Sequence, residues 1–241
     1  MRSILIINPN SSNAMTEALK PLVDRLANDG TSFSYFTAPS GPASINNDAD
    51  AASSVDHCLP ALRPLLKSSD AFLVACYSAH PLVPTLAREP EVIRGHKPVM
   101  GILEASVIAS LLLVNQGERF GIVSTGKVWE ELLAAGVAEF LGSPSSARFA
   151  GVETTGLNAG ELHDAPAELV QSRMKEATRR LLARGNIGAI CLGCAGMAGL
   201  GELVREACVE VLGDELGARM KIVDGVQAGA VQLDATLRMG R

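Results

Sequence analysis

Two cysteines sit at matching places in the two halves of this 241-residue chain. Cys76 closes the apolar run Ala71-Phe72-Leu73-Val74-Ala75, and Cys194 closes Ile187-Gly188-Ala189-Ile190-Cys191-Leu192-Gly193. Each run reads as a buried parallel strand. Ligands of open α/β sheets bind at the carboxyl ends of the strands. A thiol at each of two such ends presents an acid and a base to opposite faces of one small molecule. That arrangement moves a proton from one face of a carbon to the other. The competing role for either residue is an inert cysteine buried for packing.

The neighbours of each thiol bear on its chemistry. Cys76 is followed by Tyr77, Ser78, Ala79, His80 and Pro81. A helix opening at Pro81 would set the thiol near a positive dipole end, which favours thiolate. His80 then either tunes Cys76, acts as a base, or serves as a capping histidine. Cys194 is followed by Ala195 and Gly196, small residues whose N–H groups can approach a ligand closely. The polar loop Asn8-Pro9-Asn10-Ser11-Ser12 either caps the next helix or binds substrate oxygens. Ser124 and Thr125 hold the equivalent place in the second half. Gly41, Pro42 and Ile45, after the second strand, either wall a cleft or form a plain turn. Glu104 heads a helix after the fourth strand, with capping and site roles both open.

Cys191 and Cys194 also spell C-x-x-C. A redox or zinc role is disfavoured, because no second pair completes a tetrahedral ligand set; no metal site is expected. Cys58 and Cys208 fall on helical segments as spectators. Five cysteines, without a signal-like leader, imply reduced thiols and a cytoplasmic protein. The formal net charge of −5 and the lack of a basic cluster argue against nucleic acid. No apolar stretch approaches the roughly 18 residues of a membrane span. A small molecule is the expected partner, and the apolar-rich composition favours a homo-oligomer.

Strand-like runs alternate with amphipathic segments. Strands are expected at 3–7, 32–37, 71–76, 98–102, 119–124, 147–152, 187–193 and 220–224. Helices are expected near 14–28, 49–67, 104–115, 127–141, 166–184, 198–212 and 226–237, with a short one from Pro81. Alternation of this kind builds βαβ units and parallel sheets. The second half repeats the order of the first. The expected fold is therefore α/β, with two pseudo-symmetric lobes, each a parallel-type sheet flanked by helices, and an active site in the cleft between them. The expected lobes are 1–97 with 213–241, carrying Cys76, and 98–212, carrying Cys194.

Ile6-Ile7-Asn8-Pro9-Asn10-Ser11-Ser12, with Met15-Thr16 after it, resembles the opening of the Asp/Glu/hydantoin racemase superfamily. Leu192-Gly193-Cys194-Ala195-Gly196-Met197 is similar to the second cysteine motif of its hydantoin and allantoin racemase branch. Gly41-Pro42-Ala43-Ser44-Ile45, Gly101-Ile102-Leu103-Glu104-Ala105-Ser106 and Val223-Asp224-Gly225 fit that branch too. The resemblance implies a cofactor-independent racemase with Cys76 and Cys194 as its catalytic pair. It implies substrate contacts at Asn8, Ser124, Thr125, Ala195 and Gly196. The segment Cys76-Tyr77-Ser78-Ala79-His80 departs from the Cys-Phe-x-Asp pattern of many bacterial hydantoin racemases. It looks closer to a fungal subgroup linked with allantoin. The Asn-Thr and Thr-His pairs of the amino-acid racemases are missing, so free aspartate or glutamate is a poor substrate.

The expected reaction is a two-base 1,1-proton transfer at the carbon next to a carbonyl of a 5-substituted hydantoin or allantoin. Backbone N–H groups near Cys194 and Ser78, with Asn8, Ser124 and Thr125, would stabilise the enolate oxygen. The rivals are a decarboxylase or cis–trans isomerase of a small carboxylate, and a non-catalytic two-lobed binding protein.

Overall fold

The computed structural model describes residues 1–28 and 30–240, with the side chain of His163 outside the described set. The first sheet comprises β1 (Arg2–Asn8), β2 (Thr31–Thr37), β3 (Ala71–Val74) and β4 (Val99–Gly101). Its order is β2-β1-β3-β4, every pair parallel. Its helices are α1 (Asn13–Asp24), α2 (Asp48–Leu62), α3 (Leu82–Ala87) and α4 (Pro90–Arg94). α5 (Ile102–Leu113) follows β4 directly. The second sheet has β5 (Arg119–Ser124), β6 (Phe149–Thr154), β7 (Ile187–Leu192) and β8 (Lys221–Asp224), in the order β6-β5-β7-β8 and again parallel. With it run α6 (Trp129–Leu141), α7 (Glu161–Asp164), α8 (Ala167–Ala183), α9 (Gly201–Leu212) and α10 (Asp214–Ala218), before α11 (Gly225–Met239) ends the chain's helices.

Contacts divide the chain into Met1–Ala105 with Val226–Arg241, and Ser106–Gly225. These limits differ from the expected 97/98 and 212/213. The cause is strand pairing: β4 joins β3, and β8 joins β7, so each fourth strand stays with its own sheet.

Period-2 alternation gives each buried strand two apolar faces. In the first unit Leu5, Ile7, Phe72 and Val74 pack with Cys58 and Leu62 of α2, Leu82 and Leu86 of α3, and Val92 of α4. Ile4, Ile6 and Leu73 fill the opposite face. There Gly229 of α11 lies so close to Leu73 that a Cβ would collide with it. In the second unit Val123, Ile190 and Leu192 pack with Met174 and Leu181 of α8 and Val204 and Cys208 of α9. On the other face Ser110 of α5 meets Cys191 of β7, Oγ to Sγ 3.0 Å.

Helix limits follow local chemistry. Ser12 caps α1, its Oγ accepting the Met15 N–H, and Asn47 caps α2 through the Asp50 N–H. α2 stops at Leu62, short of the expected 67, and a 3₁₀ turn, Arg63–Leu65, follows. Pro64 has no N–H to extend the α-helical ladder. β3 and β7 end two residues before Cys76 and Cys194, so both thiols stand just past their strands.

The two sheets repeat each other in register. Ile7 faces Val74 on β3 and Phe36 on β2; Val123 faces Leu192 on β7 and Glu153 on β6. Asn8 is thus equivalent to Ser124, Thr37 to Thr154, and Cys76 to Cys194. Backbone bonds repeat as well. Ala75 N–H donates to Ile7 O and Gly193 N–H to Val123 O, each at 2.7 Å. Ala38 N–H reaches Asn8 O at 3.1 Å, and Thr155 N–H reaches Ser124 O at 2.9 Å.

Candidate active site

The strand order reverses between the first and third strands of each sheet, β1/β3 and β5/β7, which run parallel: the second strand is added on one side of the first and the third on the other. That crevice, at the carboxyl ends, is where open α/β sheets take their ligands. Asn8 and Cys76 lie there in one unit, Ser124 and Cys194 in the other.

Around Cys76 the chain is irregular from Ala75 to Pro81. The Ser78 Oγ is 3.6 Å from the Cys76 Sγ. The Ser78 N–H donates to Cys76 O at 3.0 Å, which occupies a group expected to meet an enolate. α3 begins only at Leu82, with Pro81 as its N-cap. Tyr77 and Ser78 are both buried.

His80 is 1% exposed. Its Nδ1 accepts the Leu82 N–H at 3.1 Å, and Nε2 lies 3.2 Å from Ser54 Oγ, whose hydroxyl donates to Ala51 O at 2.8 Å. Burial pushes its pKa down to about 4. The ring is a neutral strut between α2 and the start of α3, the structural role weighed against a catalytic one.

Asn8 is 2% exposed and committed to its own loop. Its Nδ2 lies 2.9 Å from Asn10 Oδ1, 3.1 Å from Ser12 O and 3.0 Å from Thr16 Oγ1. Thr16 Oγ1 in turn lies 2.6 Å from Thr37 Oγ1. Ser11 ties this loop to the next one, its hydroxyl donating to Gly41 O at 3.1 Å and its N–H to Pro42 O at 2.9 Å. Gly41 has φ +97°, and a Cβ there would meet the His57 ring at 2.8 Å. Pro42 is half-buried and Ile45 buried, while Gly41 and Ala43 are exposed.

Cys194 is half-buried, with extended backbone, and caps a 3₁₀ turn, Ala195–Met197. Its Sγ accepts the Gly196 N–H at 3.3 Å. Burial pushes its thiol up to about 11, against the pull of the Gly196 and Met197 N–H groups. It therefore rests as a thiol near neutrality. Ala195 is half-buried and Gly196 buried. Ser124 Oγ donates to Gly193 O at 2.7 Å. Thr125 is buried, its carbonyl accepting the Gly156 N–H at 3.0 Å.

Sequence reasoning gave no site role to Thr37 and Thr154; Thr16 and Gly193 entered only as members of motifs. The signal for the first two was present: β2 and β6 each end in threonine. Thr154 donates to Glu130 Oε1 at 2.7 Å.

Charge at the strand ends is sparse. The connecting loops 9–12, 38–47, 75–81, 125–128, 155–160 and 193–200 contain one Lys or Arg, the exposed Lys127. Glu104 stands in the first turn of α5, and Asp224 ends β8. Among the described residues no cluster of His, Cys, Asp and Glu could hold a metal ion. No described helix is long and apolar enough to cross a membrane. A cavity of about 740 Å³ does open on the second unit, lined by Gln116, Asn186, Leu216 and Lys221 among others. It lies at the amino edge of the strands, across the sheet from Cys194.

Two sheets of one order, with register-equivalent thiols past their third strands, have the architecture of α/β racemases. The chain belongs to the Asp/Glu/Hydantoin racemase family, whose sequence model matches residues 4–233. It is an isomerase of the racemase type acting on a small molecule. It is 35% identical to an uncharacterized protein of Schizosaccharomyces pombe, over 99% of this chain and 93% of the other. It is 27% identical to the hydantoin racemase of Paenarthrobacter aurescens, over 98% of this chain and 92% of that one. The allantoin racemase from Klebsiella pneumoniae superposes with a TM-score of 0.79 at 25% identity, covering 100% of this chain and 89% of that chain.

Proposed function

We propose that this protein racemises a hydantoin-type ring, a 5-substituted hydantoin or allantoin, with Cys76 and Cys194 as the two proton-transfer groups and no cofactor. The observation that carries the reading is the register equivalence of the two thiols, each at the switch point of its sheet.

In the reaction one sulfur is a thiolate and takes the proton from the ring carbon beside the carbonyl. The electron pair of the C–H bond moves into the ring as an enolate. The other sulfur, a thiol, gives its proton to the opposite face of the same carbon. The two sulfurs end with their protonation states exchanged, and the mirror-image substrate runs the cycle in reverse. The reading requires both sulfurs to reach one carbon from opposite sides. Delocalisation over the ring carbonyl lets the carbanion form without an electron sink from a cofactor. The N–H groups of Gly196 and Met197 favour the anion when Cys194 carries it.

The poverty of cations in the strand-end loops supports a neutral ring over a free amino acid. The single cation of those loops, Lys127, is exposed to water. The similarity to hydantoin and allantoin racemases supports the same substrate class.

Single enantiomers of 5-substituted hydantoins, allantoin, aspartate and glutamate, followed by polarimetry and mass spectrometry, test the assignment. Rotation of a ring substrate should decay to zero with no change of mass. Decay confined to the amino acids, or a product of altered mass, would contradict it.

A further inference from the structure

Ser124 ends β5 and was expected, from the sequence, to meet the substrate. Its hydroxyl is otherwise engaged. Oγ donates to the carbonyl of Gly193 at 2.7 Å, and Ser124 is 0% exposed. The Gly193 N–H donates to Val123 O at 2.7 Å. Both polar groups of Gly193 are therefore anchored to consecutive residues of β5. The third side is closed by packing: a Cβ on Gly193 would meet Ile122 Cγ2 at 2.6 Å, Ser124 Cβ at 2.8 Å and Val123 O at 2.8 Å.

The residue clamped in this way immediately precedes Cys194. A planar peptide unit transmits the direction of its carbonyl to the next Cα. Cys194 leaves that plane at φ −157°, ψ 141°, and its Sγ turns back onto the Gly196 N–H. The first unit treats the equivalent position differently. It keeps the Ala75 N–H bond to Ile7 O, but Asn8, the counterpart of Ser124, directs its amide into its own loop. The carbonyl clamp is a device of the second unit.

We propose that Ser124 is a positioning residue: its hydroxyl holds the Gly193 carbonyl and so aims the Cys194 sulfur, without contacting the substrate. The proposal rests on the assignment of Cys194 as a proton-transfer thiol. Its structural part can be read without any substrate.

The test uses the full-length protein, Ser124→Ala and Ser124→Thr. Alkylation of each cysteine by iodoacetamide is followed across pH by peptide mass spectrometry. In Ser124→Ala the midpoint for Cys194 should move by about half a pH unit or more, as its hydrogen-bonded setting loosens. The Cys76 profile should stay in place. Ser124→Thr keeps the hydroxyl and should keep the wild-type profile, which serves if Ser124→Ala fails to fold. On a racemised ring, Ser124→Ala should lose kcat on the order of 100-fold from misplacement alone, with KM within about twofold.

An unchanged Cys194 profile in folded Ser124→Ala overturns the proposal. So does a raised KM at unchanged kcat, which would make the hydroxyl a substrate contact. A shift in Ser124→Thr matching that of Ser124→Ala also overturns it. A wild-type protein that racemises no ring would instead sink the functional assignment, while the alkylation profiles still decide the role of Ser124.

Discussion

Gly193→Ala should be strongly damaging, because the turn before Cys194 has no room for an added methyl. The new Cβ would sit 2.6 Å from Ile122 Cγ2 and 2.8 Å from both Ser124 Cβ and Val123 O. Val123 O is backbone within the ladder of β5, so it cannot step aside as a flexible side chain would. The turn must move instead. Overpacking of this kind costs about 1–3 kcal/mol. The shift also strains two buried hydrogen bonds, Gly193 N–H to Val123 O and Ser124 Oγ to Gly193 O, each contributing about 1 kcal/mol. The sum, about 3–5 kcal/mol, lowers Tm by roughly 6–20 °C for a chain of this size. The measurement is urea and thermal unfolding by circular dichroism, with Ala75→Gly as the control at the equivalent position. Ala75 accommodates its methyl while buried, so removing it should cost only about 1 kcal/mol. A Gly193→Ala protein within about 0.5 kcal/mol of wild type, or less damaged than Ala75→Gly, would refute the clamp.

Other outcomes follow from the same contacts. His80 titrates at about 4 when folded against 6.5 ordinarily, so the unfolded chain binds its proton first as pH falls. Its contribution is complete above pH 6.5 and is lost toward pH 4. The loss amounts to about 3 kcal/mol. Urea titrations of His80→Gln should show a flatter decline over that range; an unchanged decline would count against a buried neutral ring. Cys194, pushed up to about 11, should react slowly with iodoacetamide at pH 8 and accelerate up to about pH 11. Modification at pH 7 as fast as a free thiol would contradict its burial. Asn8→Ala removes the amide that joins Asn10, Ser12 and Thr16, and should cost about 1–3 kcal/mol in unfolding experiments. Ser11→Ala breaks only the exposed bond to Gly41 O and should stay within about 0.5 kcal/mol of wild type.

All eight strands were legible in the sequence because continuous apolar runs bounded by Gly, Pro and Asn leave few alternatives. Cys76 and Cys194 could be paired across the halves from their strand ends, and register then aligned them. Side-chain commitments were not legible. Ser124 and Asn8 look alike as polar strand ends, yet one holds a neighbouring turn and the other its own loop. That difference depends on which backbone groups the fold brings within reach. His80 read as a possible base because nothing in Ser78-Ala79-His80-Pro81 reveals that Ser54 of α2 and the Leu82 N–H will enclose it. The limits of the two units were misplaced because edge strands β4 and β8 carry no sequence mark of the sheet they join. The short helices α4, α7 and α10 lack the apolar periodicity that marks longer ones.

The measurement closest to the central claim is incubation of one ring enantiomer in D₂O with wild type, Cys76→Ser and Cys194→Ser. Wild type should convert it to both enantiomers, each gaining a single deuterium at the reacting carbon. Each serine variant should fail to racemise, with exchange surviving on one face at most. Full racemisation by either single variant would mean that the paired thiols are not the acid and base of this protein.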